Sequence, residues 1–532
     1  MNVFRPSGHR ARYLLCALAA VAVLGVAQAA PGLPSTNVAW VPAAVDADID
    51  RAFAQARAEK KPVLLYWGAT WCPPCNQLKA TLFNRQDFAA QAKSFVAVHV
   101  DGDRPGAQKL GARFKVRGYP TVILMTADGA EISRLPGDAD APQIMAVLQA
   151  GLSGGRPIKA VLADARAGKT LSANEWRMLA FHGWEVDEDQ LVPAKERPTV
   201  LAELARRSEA ASGARDGETS TRLWLKALAA SDDGKGLKPE AAQRDLVQRV
   251  LGDAGLTRTH MDVLANEAAD IVQVLSAEES PERAALVARY EAALVKLQTD
   301  ATLSRADRLS ALVARVRLGR LGQGKDVVQP KLPEALLHEV RTTAARLDRE
   351  ITDGYERQAL ITNAGWLLGQ AGLWTESDTL LKANLTKSHS PYYLMSQLAG
   401  NYRRLGRNAE ALQWYAQSYE QAVGPATRVQ WGAGYVNALI DLAPQETARI
   451  EKAVSSLLAE AAKDSAAFEG RSARSYRRVA SKLATWNADG SRAAALARLQ
   501  RQLDGICAKV DAADGQQATC RGLLRPAEGK PA

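Results

Sequence analysis

Along the first 150 residues, short apolar runs alternate with amphipathic stretches. Val45 to Lys60 has helical spacing, with acids early and bases late, and Pro62 stops it, which predicts a helix. Val63 to Trp67 is a continuous apolar, aromatic-rich run and predicts a buried strand. A helix opening at Cys72 runs through Leu78 and Leu82. Phe95 to Val100 is a second strand, ended by the turn residues Asp101, Gly102 and Asp103. A helix over Ala107 to Phe114 follows. Thr121 to Met125 and Glu131 to Leu135 are strands joined by the hairpin turn at Asp128-Gly129, and a helix over Ala141 to Leu152 closes the set. Residues 30–42 read as a short leader. Strands alternating with helices at this spacing predict an α/β domain with a central sheet.

Gly151 to Pro157 reads as a linker, and no strand pattern follows it. Alanine and leucine dominate the remainder, and both lose little on entering a helix, so a large all-α region is expected. Residues 157–350 show Leu/Ala periodicity without a clean repeat. Within 351–460, Gly372 and Gly406 stand 34 positions apart, the period of a tetratricopeptide unit. Leu398 to Tyr415 resembles that family: Ala399 and Ala411 let two helices approach, and Tyr402, Leu405 and Tyr415 fill the space between them. In a third copy, around Gly432 to Ala453, Ile440 stands where the turn glycine is expected. This pattern predicts a helical solenoid, with residues 461–532 as C-terminal helices.

At 47% hydrophobic and 24% charged residues, the chain can bury a core and is not generally disordered. Its net charge of +10 is interspersed rather than gathered into a stripe, which argues against nucleic acid as a partner. Residues 1–29 read as a cleaved signal peptide: Arg5, Arg10 and Arg12, then the apolar run Tyr13 to Gly25, then Ala27-Gln28-Ala29. That run is short for a membrane anchor. Leu15 before Cys16 stands where a lipid-modified start needs a small residue. No second apolar stretch is long enough to cross a bilayer. A periplasmic or secreted protein without stable membrane insertion is expected.

Such a chain retains four cysteines, Cys72, Cys75, Cys507 and Cys520, an even number in an oxidising compartment. Cys507 and Cys520, widely spaced, read as a structural disulfide. Trp71-Cys72-Pro73-Pro74-Cys75 carries the chemistry. Pro73 and Pro74 fit the first helical turn, where a missing N–H costs nothing. Cys72 then sits at a helix N-terminus, where orphan amides and the dipole favour a thiolate, the nucleophile of exchange. Cys75, one turn on, can attack a mixed disulfide at Cys72 and release the product. Zinc needs a second pair or histidines at ligand spacing, and neither is present, so no metal and no cofactor are expected. A purely structural Cys72–Cys75 bridge would close too short a loop to stabilise much.

Val116-Arg117-Gly118-Tyr119-Pro120-Thr121 follows the cysteines by about 45 residues and opens a strand. With the Cys-Pro-Pro-Cys motif it resembles the thioredoxin superfamily over residues 40–152, which implies a central mixed sheet flanked by helices. The stretch from Ile49 through Gly137 is similar to the C-terminal domain of DsbD-type reductases. The resemblance implies that Pro120 is a cis proline facing the disulfide, a bond affordable only before proline, and that the backbone of Tyr119 pairs with the substrate chain. It also implies exported protein substrates with thiols or disulfides, and a redox partner protein at the membrane. By analogy the chain is a reductant. An oxidase or isomerase shares the same residues, and an interaction scaffold with a redox-gated domain is a further alternative. One departure is plain. The family carries a buried carboxylate, a proton relay, six positions before the first cysteine. Tyr66 stands there, and a phenol with a pKa of about 10 is a poor acceptor at neutral pH.

Three weaker signals carry no function. Ala167-Gly168-Lys169-Thr170 lacks the first glycine and the preceding strand of a phosphate loop. His182, with Glu185, Asp187, Glu188 and Asp189, reads as a solvated acidic turn rather than a metal site. Trp414, Tyr415 and Tyr419 have helical spacing and read as repeat core.

Overall fold

Strand Val63–Gly68 (β2) is the centre of the N-terminal domain, buried along its whole length. Its side chains alternate between two cores, as a pleated strand requires. Val63, Leu65 and Trp67 face helix Asp46–Glu59 (α1), and Leu64 and Tyr66 face the opposite side. The computed structural model describes residues 38–525, apart from 136, 138, 188, 213–216, 232–235, 513 and 514. The expected signal segment 1–29 lies outside the described residues. The described residues fall within one compact unit.

Five strands form one mixed sheet in the order β1-β3-β2-β4-β5. Val41–Ala43 (β1) and β2 both run parallel to Val96–Asp101 (β3), while Thr121–Met125 (β4) is antiparallel to β2 and to Glu131–Leu135 (β5). β1 corrects the reading of residues 30–42 as leader alone. Three residues with Pro42 in the middle give no alternation to read. They form a strand because proline is tolerated at a sheet edge, where its missing N–H breaks no ladder bond.

Helix Pro73–Leu78 (α2) is followed by a π-helical turn, Lys79–Phe83, and then by Gln86–Gln91 (α3). Ala107–Arg113 (α4) and Ala141–Leu152 (α5) complete the flanking layers. Beyond α5 all regular structure is helical among the described residues. The core does not stop at the glycine-rich stretch after α5. Leu64, Leu124, Ile132 and Leu148 share one apolar cluster with Ile158, Val161, Leu201, Leu225 and Ile271.

Further along, helices pair as hairpins: Gly354–Gln370 with Trp374–Asn384, and Pro391–Arg404 with Asn408–Gln421. Gly372 and Gly406 take φ of +79° and +71° at the two turns, the left-handed region where glycine is unstrained. The next pair, Pro425–Leu442 and Thr447–Glu460, differs from expectation. Ile440 lies inside the first helix, and the turn falls at 443–446, where Pro444 ends the helix instead of a glycine. Among the described residues no helix is long and apolar enough to cross a membrane.

A disulfide joins Cys507, at the end of helix Ala493–Cys507, to Cys520 in helix Gln516–Gly522, and both cysteines are fully buried. Cross-linking a loop of this size stabilises by about 3 kcal/mol. The double replacement of Cys507 and Cys520 by serine is therefore expected to weaken the C-terminal helices by about that amount, read by urea unfolding followed by circular dichroism. An unchanged unfolding curve would contradict it.

Candidate redox site

β2 ends at Gly68, and the chain turns through Trp71 into α2. Pro73 and Pro74 occupy the first helical positions. Cys72 is the N-cap, with Sγ accepting the backbone N–H of Cys75 at 3.3 Å. The two cysteines form a disulfide with their Cα atoms 5.2 Å apart. From the other side, the Tyr119–Pro120 peptide is cis, and the Tyr119 carbonyl oxygen lies 3.5 Å from Cys72 Sγ. Sequence elements 47 positions apart thus meet at one sulfur. Reduced, Cys72 would face the helix N-terminus and one backbone carbonyl, a geometry suited to a nucleophilic thiolate.

The helical region covers this site. Cys72 is 2% exposed and Cys75 fully buried, in an apolar cluster with Trp71, Tyr392, Tyr419 and Trp431. The indole N–H of Trp71 donates to Asp103 Oδ2 at 2.9 Å and to Thr427 Oγ1 at 2.8 Å. The Thr427 hydroxyl in turn donates to Asp103 Oδ1. The amide of Gln358 donates to the Trp71 carbonyl at 3.1 Å. Trp431 meets the Trp71 ring edge-on at 4.9 Å, and Tyr393 stacks on it at 5.9 Å. The Arg471 guanidinium lies over both the Trp71 and Tyr119 rings, 4.7 and 5.1 Å from their centroids. Gln108 ties the arrangement together, donating to the Tyr119 hydroxyl at 2.9 Å and accepting the backbone N–H of Arg471 at 2.8 Å.

Enclosure shifts the ionisable groups here. Burial, with the charge of Asp101 beside it, pushes the Asp103 carboxyl up to about 7, against the hydrogen bonds from Thr427 and Trp71. Burial raises Tyr119 to about 12 and lowers Arg471. Behind the disulfide, Tyr66 is a core residue, stacked on His99 at 4.9 Å and edge-on to Phe83 at 4.7 Å. Burial raises its phenol well above the ordinary value, so it keeps its proton. Nearby, burial raises the Asp101 carboxyl and lowers the Lys79 ammonium.

Beside Pro74 and Gln77 and the Tyr119–Pro120 peptide opens a cleft of about 370 Å³, whose far wall is helical: Met261, Ala265, Asn266 and Asn363.

Residues 49–152 match the family model for a thioredoxin-like domain. This part of the chain is a thioredoxin-like domain. The chain is 32% identical over 120 residues to thiol:disulfide interchange protein DsbD 2 of Pseudomonas aeruginosa, covering 22% of this chain and 20% of that protein. It is 33% identical over 121 residues to DsbD of Cronobacter sakazakii, with the same coverages of 22% and 20%. The chain therefore spans about a fifth of the length of these curated relatives. A thioredoxin from Thermus thermophilus aligns in structure at 26% identity and a TM-score of 0.19, covering 21% of this chain and 86% of that one.

Several participants in the redox site escape sequence reasoning. Asp103 reads as a turn residue, and Gln358, Thr427, Trp431 and Arg471 lie in helices without any local chemical signal. Tyr419, grouped by spacing with the repeat core, also reaches the cysteine cluster, whereas Trp414 and Tyr415 pack within the hairpins. The His182 segment is a correction. His182 and Asp187 are buried rather than solvated, because His182 bridges Ser133 Oγ at 3.3 Å and Asp187 Oδ1 at 3.2 Å. Glu131, His182 and Asp187 each bring a donor atom within 4.8 Å of the others. Those donors are already engaged, Glu131 by Arg134, so the group serves packing between domain and helices.

Asp103 holds its proton to higher pH in the folded chain than in the unfolded one, where an aspartate titrates near 4. Between about pH 4 and 7 the folded state binds the extra proton, so stability falls as pH rises through that window. Urea unfolding at a series of pH values is expected to show this decline, and Asp103→Asn to flatten it by about one proton's slope. An equal decline in wild type and variant would assign it to another group.

Proposed function

We propose that the chain is a thiol–disulfide oxidoreductase acting on exported proteins, in the reducing direction. The observation that carries this reading is Cys72 at a helix N-terminus, bonded to Cys75 one turn on and facing the Tyr119 carbonyl beside cis Pro120. The relatives named thiol:disulfide interchange proteins support it, and the signal-like first 29 residues support export. In the reaction, the Cys72 thiolate attacks a substrate disulfide, and one substrate sulfur leaves as a thiolate. Cys75 then attacks Cys72 Sγ, re-forming the Cys72–Cys75 disulfide and releasing the second substrate sulfur. Two electrons pass from the dithiol to the substrate. A redox partner protein at the membrane returns them. Trp71, Pro73, Pro74, Tyr119 and Pro120 shape the site, and the tetratricopeptide-like hairpins select the partner.

A second reading, an interaction scaffold gated by the redox state of its thioredoxin-like domain, draws support from the burial of Cys72 beneath the helices. The variants separate the two. Cys72→Ser is expected to abolish disulfide exchange with a model protein disulfide, and Cys75→Ser to accumulate a mixed disulfide visible by non-reducing electrophoresis. Exchange that survives Cys72→Ser would remove the enzymatic reading. Titration in redox buffers sets the direction: a midpoint near about −270 mV marks a reductant, and one near about −120 mV an oxidant.

A further inference from the structure

Arg471 belongs to helix Gly470–Trp486, in the last quarter of the helical region, yet it reaches the centre of the redox site. Its backbone is fixed. Gly470 takes φ of +49°, and a Cβ there would come within 2.7 Å of the Gln108 carbonyl, so the helix start presses directly on α4. The Arg471 N–H then bonds Gln108 Oε1. The guanidinium touches the rings of the two residues that border the reactive sulfur. Trp71 precedes Cys72, and Tyr119 supplies the carbonyl 3.5 Å from Cys72 Sγ.

Among the described residues Arg471 forms no ion pair; it is half-buried, and desolvation opposes its charge. A cation placed in this way is stabilised by the aromatic faces, by its hydrogen bond with Tyr119 and by whatever negative charge approaches it. The charged and titratable groups that face it are few. Asp103 lies at the loop after β3, Tyr119 before β4, Tyr393 on helix Pro391–Arg404, and Arg478 on its own helix. Asp103 is held near 7 and is already engaged by Trp71 and Thr427. Asp101, the neighbouring carboxyl, faces Lys79 and Arg104, so the anion that reduction newly creates beside the two rings is the thiolate of Cys72.

We propose that Arg471 is a positioning residue of the redox site: it clamps Trp71 and Tyr119 about Cys72 and supplies, from the helical region, the positive charge that favours the reduced Cys72 thiolate over the disulfide. This rests on the assignment of Cys72 and Cys75 as an exchanging pair. When an external dithiol reduces the site, the Cys72–Cys75 bond breaks, two electrons pass from the dithiol, and the dithiol becomes a disulfide. Of its two protons, one goes to Cys75 and one to solvent, leaving Cys72 anionic. Arg471 acts on that product and not on the neutral disulfide, so it moves the couple toward reduction.

The test uses the full chain with Arg471→Gln, which removes the charge, and Arg471→Lys, which keeps it without the planar fork. Each is equilibrated in dithiothreitol redox buffers, with the reduced fraction read by thiol alkylation and the thiolate by its absorbance near 240 nm across pH, against a Cys72→Ser baseline. Arg471→Gln is expected to shift the equilibrium about tenfold toward the disulfide, close to 30 mV, and to move thiolate formation to higher pH. Arg471→Lys is expected to stay within about threefold of wild type. A folded Arg471→Gln variant with an unchanged midpoint and pH profile overturns the proposal. So does an equal shift in both variants, which would make the role purely one of packing. Should Arg471→Gln fail to fold, Arg471→Lys decides alone: a tenfold shift overturns the proposal, and a midpoint near that of wild type supports it. A wild-type pair that does not titrate at all in these buffers removes the oxidoreductase reading itself, a result distinct from any of these.

Discussion

The indole of Trp71 is held on every side by residues distant in the chain: Asp103 and Thr427 at its N–H, Gln358 at its carbonyl, Trp431 and Tyr393 at its edge and face, Arg471 above. Enclosing one tryptophan removes roughly 200 Å² of apolar surface from water, on the order of 5 kcal/mol as an upper value. The two acceptors of its N–H keep that burial from leaving an orphan donor. Because Trp71 is joined directly to Cys72, the same contacts that seat the helices on the thioredoxin-like domain also fix the reactive sulfur. Architecture and chemistry share one anchor.

A second constraint works on the face of the sheet that α2 and α5 cover. Leu64, Leu124 and Leu148 share a core with helices that begin at Ile158, so the thioredoxin-like domain has no fully solvated face there. A free domain of this kind would present polar residues on the outside of α5. Here α5 instead buries Ile144, Val147 and Leu148 on a stripe and passes the chain straight into the helical region. With helices packed on this face and over Trp71, the redox site becomes a composite, and its cleft has one wall from each part.

This composite character changes how the dithiol is tuned. The helix N-terminus and the Cys-Pro-Pro-Cys spacing are local devices, carried by a handful of adjacent residues. Tyr66, in place of a carboxylate, takes a proton acceptor out of the core and puts an aromatic contact with His99 and Phe83 in its place. Ionisable groups return to the neighbourhood by other routes, Asp103 from the loop after β3 and Arg471 from the far end of the chain. The electrostatics around the sulfur are therefore set mainly by tertiary contact.

Short-range information determined much of the rest. Apolar runs bounded by turn residues located β2 to β5, helical periodicity located α1, α4 and α5, and the glycine spacing located two hairpin turns, because each depends on neighbours within one or two turns of chain. The cysteine pair was legible for the same reason. β1 was not, since three residues with a central proline have no period. Nor was the burial of His182, or the part played by Asp103, Gln358, Thr427, Trp431 and Arg471 around Trp71. Their partners lie as far as 363 positions away in the bonds that assemble the site. A local pattern fixes backbone periodicity and the direction a side chain leaves it. Which distant surface that side chain meets is decided only when the whole core has closed.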